Sequence, residues 1–181
     1  MIDIYEISSP IDISNSRVEF ANNETENLFE FFMSSENQLP QPQDIKLIAQ
    51  KNLTNEDIKK ADFLNAIINV PIFSSRFVKK FQNQLVSEIL FYPCTISKSH
   101  IFYIGKILNF LKIIDYANSK YMPLSDPNDP PILVEPKFMP PSSNFFIARD
   151  VIESTHYVVS KKFKDLIIKN KFEINFKKIK N

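Results

Sequence analysis

The chain has 181 residues, is 44% hydrophobic and 24% charged, and carries 22 basic against 21 acidic side chains, the profile expected of one soluble globular domain long enough to bury a core. A net charge of +1 leaves no global field to draw it onto nucleic acid or an anionic membrane. The single glycine excludes the dinucleotide fingerprint, the phosphate-cradling loop and the nucleophile elbow, each of which needs several glycines at fixed spacing.

The opening MIDIYEISSPIDIS has no basic n-region, no continuous apolar stretch and no small-residue cleavage site, so no secretory leader and a cytoplasmic location are expected. Ile2, Ile4 and Ile7 among polar neighbours predict a short strand closed by Pro10. From Asn23, a candidate cap, NETENLFEFFMS predicts a helix whose Leu28, Phe29, Phe32 and Met33 share one face, with acidic residues at its start and outward. Pro40 and Pro42 mark the following connector. Thr54 and Asp57 form a capping-box pattern opening a helical run through Ile58, Ala61 and Leu64.

A β-favouring run, Ile67 to Phe73, then meets Ser74 or Ser75 as cap of a helix with Phe77, Val78, Phe81 and Leu85 at helical spacing. SEILFYPCTI predicts a strand in which Pro93 implies an edge, a bulge or the strand's end, and Ile101 to Ile104 predicts its hairpin partner. In KILNFLKIIDYANSKY aliphatic residues fall nearly everywhere, so helix and strand remain open. The proline-rich MPLSDPNDPP reads as a surface loop. Further strands are expected at 132–134, 144–148 and 156–159. Ser160 then caps a helix with Phe163, Leu166, Ile167 and Ile168 inward, and Phe172, Ile174 and Phe176 alternate in a last strand. Two units look alike, VPIFSSRFVKKF and HYVVSKKFKDLI, each a strand running through serine into a helix. The expected fold is α+β: a mainly antiparallel sheet with short amphipathic helices and repeated strand-Ser-helix units.

Charge is unevenly spread. Residues 1–60 hold five basic and eleven acidic groups, a net of −6, whereas eight lysines after Ser160 face only Asp165 and Glu173. We therefore treat residues 1–60 as an acidic segment packed on or beside a core of residues 61–181.

Little in the sequence points to chemistry. The lone Cys94 precludes an intramolecular disulfide and a thiolate zinc cluster and reads as a small core residue. His100 and His156 stand without ligands at metal spacing, so no metal and no other cofactor is expected. Ser74, Ser75 and Ser160 lack a base partner and are explained as structural helix caps at Ser74 and Ser160. Asp126 and Asp129, beside Asn128, suit a turn, and Asp150 and Glu153 read as a solvated loop. No enzyme class emerges.

The ordered series PIFSSRFVKKF, ILFYPC, FYIGKILNF with Asn109, IIDYANS with Asp115 and Ser119, FFIARD and YVVSKKFKDLI before a closing strand resembles bacterial immunity protein family eleven, over about Phe63 to Ile179. A glycine common before the family's last strand is replaced by Lys169-Asn170-Lys171, with Asn170 the residue suited to a left-handed turn. The resemblance implies an α+β module that binds and blocks a cognate toxin protein and carries no catalytic residues. Its contact residues would then be interface residues, and the acidic face with Glu24, Glu26, Glu30 and Glu36 is the preferred candidate. The alternative is a nucleic-acid-binding module using the C-terminal lysines. No membrane partner is expected.

Overall fold

The computed structural model describes residues 3–11, 16–21, 25–35, 44–97, 99–126 and 128–179. In chain order the elements are β1 (Ile4–Ser8), β2 (Val18–Phe20), α1 (Thr25–Met33), β3 (Ile45–Ala49), α2 (Asn55–Lys60), β4 (Phe63–Leu64), β5 (Ile72–Ser74), α3 (Ser75–Leu85), β6 (Ile89–Ile96) and β7 (His100–Ile107). There follow β8 (Phe110–Leu111), β9 (Lys120–Met122), β10 (Ile132–Glu135), β11 (Ile147–Asp150), β12 (Tyr157–Ser160), α4 (Lys161–Lys169) and β13 (Asn175–Lys178). The fold is α+β with mostly antiparallel pairing, as the residue pattern predicts.

Six strands in the order β2-β3-β6-β7-β5-β4 form the larger sheet. Its edges meet: Val18 bridges Ala66, donating to Asn65 O and accepting from Ile67 N, both at 3.0 Å, so the sheet curls closed. Period-two alternation fills the interior, with Leu64, Ile72, Ile104, Cys94 and Ile96 inward alongside Phe31 and Phe32 of α1 and Ile58 of α2. Phe63 and Phe73, one position away on the same strands, point out of the barrel into a second core with Phe77 and Phe81 of α3 and Phe163 and Ile167 of α4. Phe73 and Phe77 stack at 4.1 Å between ring centroids. The chain's one glycine, Gly105 on β7, lies where Ile89 and Pro71 leave no room for a Cβ.

In the smaller sheet, β13-β1-β12-β11-β8, the strands β11 and β12 are buried on both faces. Tyr5, Ile147, Tyr157 and Val159 face the helices, while Ile4, Ala148 and Val158 face a third core with Ile113, Ile114 and Phe145. The two sheets repeat one arrangement. β4-β5-β7-β6 in the first corresponds to β11-β12-β1-β13 in the second, with α3 and α4 at the same place in the connection. The register pairs Phe63 with Phe73 and Leu64 with Ile72 in one unit, and Ile147 with Val159 and Ala148 with Val158 in the other. Phe77 and Phe163, each third in its helix, meet across the join at 6.3 Å. Carboxylates are exchanged between the units: Asp62 Oδ2 accepts from Glu173 N, and Glu88 Oε2 accepts from Phe146 N and Ile147 N. The N-terminal β1 supplies the strand that β7 supplies in the first unit.

Several local expectations change. The run after Thr54 ends at Lys60, because Ala61 turns extended (ψ 135°), and Leu64 belongs to β4 rather than to a helix. Of the expected Ile67–Phe73 strand, Ile72 and Phe73 alone fall in a strand, β5. In the stretch left open between helix and strand, Ile107 ends β7, Phe110–Leu111 form β8 and Ile114 bridges Phe138. The strand expected at 144–148 begins at Ile147. Ile168 faces outward, 56% exposed. Asn170 has φ −95° and spends its side chain on Leu166 O, so the left-handed turn (φ 57°) falls on Lys171. Strands β1, β2 and β3, all within residues 1–60, are hydrogen-bonded into the two sheets, β1 between β12 and β13.

Candidate functional site

Of the acidic residues preferred from the sequence, Glu30 alone has a described side chain. Glu24 and Glu36 lie outside the described residues, as does the side chain of Glu26. Glu30, exposed on α1, borders an open depression with Phe29, Met33, Ser34 and Ser154. Several of the C-terminal lysines have partners. Lys161 pairs with Asp165 at 2.5 Å, Lys177 with Glu6 at 3.3 Å and Lys178 with Asp3 at 2.8 Å. Lys162 and Lys164 sit over the rings of Phe146 and Tyr5 at 4.1 and 4.4 Å.

Ser74 caps α3, its Oγ accepting from Phe77 N at 3.2 Å and donating to Asp62 Oδ1 at 3.1 Å. Ser160 caps α4, accepting from Phe163 N at 3.3 Å and donating to Phe145 O at 2.5 Å. Each serine ends a strand in extended geometry, which aims its side chain at the free amides of the first helical turn. Asp62, buried, also accepts from Arg76 Nε and Nη2, and that hydrogen bonding raises the Arg76 pKa.

Asp150, expected in a solvated loop, is fully buried. Its Oδ2 accepts from Ile113 N and Ile114 N at 3.0 and 3.1 Å, and its Oδ1 from Ile152 N and Glu153 N at 2.9 Å and from the Tyr116 hydroxyl. Burial alone would raise its pKa; the donors outweigh burial and hold it below the ordinary aspartate value. Burial, with Asp150 adding to it, pushes the Tyr116 hydroxyl pKa up.

Arg149, its neighbour on β11, turns to the opposite face and reaches Ser154 O, Asn69 O at 3.3 Å and Met33 Sδ at 2.9 Å. Its Nε has no hydrogen-bond partner among the described residues. Burial pushes its pKa down to about 10. The guanidinium thus ties α1 to the two hairpin loops that follow β4 and β11, which also touch through Asn69 Nδ2 and Thr155 O at 2.7 Å. His156 lies edge-on to Phe138, its pKa lowered by burial. Cys94 is buried, and its thiol is pushed up to about 12 by burial. Asp150, and Arg149 through its Nη atoms, thus hold backbone in place.

The surface feature that the sequence reading did not pick out is the β9–β10 ribbon, which forms a two-stranded sheet of its own. Met122 sits opposite Ile132 and Tyr121 opposite Leu133, with a register shift that sets Val134 as a bulge. Leu133 packs with Tyr116 and Phe138 against the third core, whereas Met122, Ile132 and Val134 are 51%, 48% and 47% exposed. The segment joining the strands is the proline-rich stretch read as a loop, in which Asp126 Oδ1 accepts from Asn128 N at 2.9 Å. An apolar residue on each side of four prolines was the available signal.

Among the described residues no three His, Cys, Asp or Glu side chains are placed to hold a metal ion, and no helix is long and apolar enough to cross a membrane. Compared with known proteins, the chain matches no family model and no curated protein.

Proposed function

We propose that this chain is a bacterial immunity protein that binds a cognate toxin in the cytoplasm and neutralises it by protein–protein contact. The observation that carries the reading is where the family-like segments fall. PIFSSRFVKKF spans β5 and α3, ILFYPC lies in β6, FYIGKI in β7, FFIARD runs into β11, and YVVSKKFKDLI spans β12 and α4. A resemblance of weak motifs in a fixed order gains weight when those motifs are the matching parts of one repeated architecture, and here they supply Ser74 with Phe77 and Ser160 with Phe163 at equivalent places. The use of buried Asp62 and Asp150 and half-buried Glu88 as acceptors for backbone amides supports a role in which these carboxylates maintain a surface rather than act on a substrate.

On this reading a toxin gene adjoins the gene for this chain, and the test is co-expression of the two products in bacteria. We expect growth to be restored by the full chain and a stable complex to be recovered from the purified components. Growth arrest that persists at equal or excess expression of this chain would overturn the reading.

A further inference from the structure

We propose that the β9–β10 ribbon is the toxin-docking element, and that its partner is a protein groove lined with apolar side chains and bordered by lysine or arginine; this rests on the immunity reading above. The outward face of the ribbon carries Met122 and Ile132 as a directly opposed pair, extended by Val134, all about half exposed. Isolated exposed aliphatics need no explanation, but three on one face of a ribbon with no further strand beside it among the described residues form a contiguous apolar strip. Such a strip, with two open edges, is a hazard unless something covers it.

Charge indicates what covers it. At the base, Lys120 Nζ lies 2.6 Å from Glu135 Oε2, so those charges compensate each other. Between Tyr121 and Val134 the only charged residues are Asp126 and Asp129, both exposed at the tip. The element is therefore apolar along its length and anionic at its end. Apolar anchors would provide the buried centre of an interface, and the two carboxylates would steer the encounter with a basic rim. A second copy pairing ribbon to ribbon offers no basic residue between Tyr121 and Val134 to meet the two carboxylates.

The experiment measures binding of the purified chain to the product of the adjoining toxin gene by biolayer interferometry. Variants are M122K/I132K, D126N/D129N and, as a control on the exposed face of α4, I168K. Because all five positions are exposed, thermal unfolding midpoints should match the wild type, which separates folding from binding. We expect M122K/I132K to weaken affinity by about thirtyfold or more, the loss typical of a central anchor. D126N/D129N should slow association severalfold at low salt, with the difference vanishing at high salt, and I168K should bind as the wild type does. Wild-type affinity in both ribbon variants overturns the proposal while leaving the immunity reading intact. So does a wild-type dimer, seen by light scattering, that M122K/I132K converts to monomer with toxin affinity unchanged. If the wild type itself neither binds nor protects, the immunity reading fails and this inference fails with it.

Discussion

Replacing Asp150 with asparagine changes one atom and tests the account of the buried carboxylate. Aspartate offers two oxygens to five donors, four of them backbone amides. Asparagine keeps one oxygen, which can stay with Tyr116, Ile152 and Glu153, and turns an NH2 toward the amides of Ile113 and Ile114. Both residues are fully buried, so two N–H groups lose their acceptor away from water. At about 1–3 kcal/mol for each buried unsatisfied donor, the cost is about 4 kcal/mol. For a chain of this size about 2–4 °C is lost per kcal/mol, so Tm at neutral pH should fall by about 8–16 °C.

The pH dependence follows from the same bonds. The carboxyl titrates below 3.8 in the folded state, so its contribution is present above that pH and is lost as pH falls through the folded value. The gap between wild type and D150N should accordingly narrow below about pH 3.8. Circular dichroism melts from pH 3 to pH 7 measure both effects. A Tm at pH 7 within about 2 °C of the wild type would refute the assignment of these amides to Asp150.

Removing the helix caps should separate the two serines. S74A should cost about 1 kcal/mol and S160A about 2 kcal/mol in urea unfolding, because Ser160 is buried and bonds the Phe145 carbonyl, whereas Ser74 is half-buried and Asp62 Oδ1, to which it donates, keeps Arg76 Nε; equal losses would contradict this. G105A places a Cβ 3.1 Å from Pro71 Cγ and against Ile89, so destabilisation by about 1–3 kcal/mol is expected, and a neutral or stabilising effect would show that β7 packs differently. Cys94, buried with its thiol pushed up to about 12, should resist iodoacetamide at pH 8 in the native protein and react on unfolding; rapid native labelling would place it at the surface.

Features written in the sequence itself are those whose partners lie within one helical turn. Ser74 with Phe77, Ser160 with Phe163 and the Thr54–Asp57 box each join residues three apart, so residue type and spacing determine them. The amphipathic stripe of α3 was legible for the same reason: Phe77, Val78, Phe81 and Leu85 all face the core. The likeness of the two strand-Ser-helix units was visible too.

What the tertiary structure alone decided concerns distant partners. β3 has only five residues, and its parallel match to β6 sets Ile45 beside Cys94, a pairing that no local pattern announces. β1 takes a central place because the second unit lacks a strand of its own, and Tyr5 finds its neighbours at Val159 and Lys178. Residues 107–114 showed no period because the segment is irregular: β7 ends at Ile107, only Phe110–Leu111 pair as β8, and the fully buried positions are Ile107, Ile113 and Ile114. Asp150 looked like a loop carboxylate until Ile113 and Ile114, 37 and 36 residues away, brought their amides to it. The exposure of Met122 and Ile132 was likewise settled by what failed to pack over them. Short-range hydrogen bonds and helical stripes are encoded by neighbours in the chain, whereas strand order, burial and surface are set by which distant segments exclude water together.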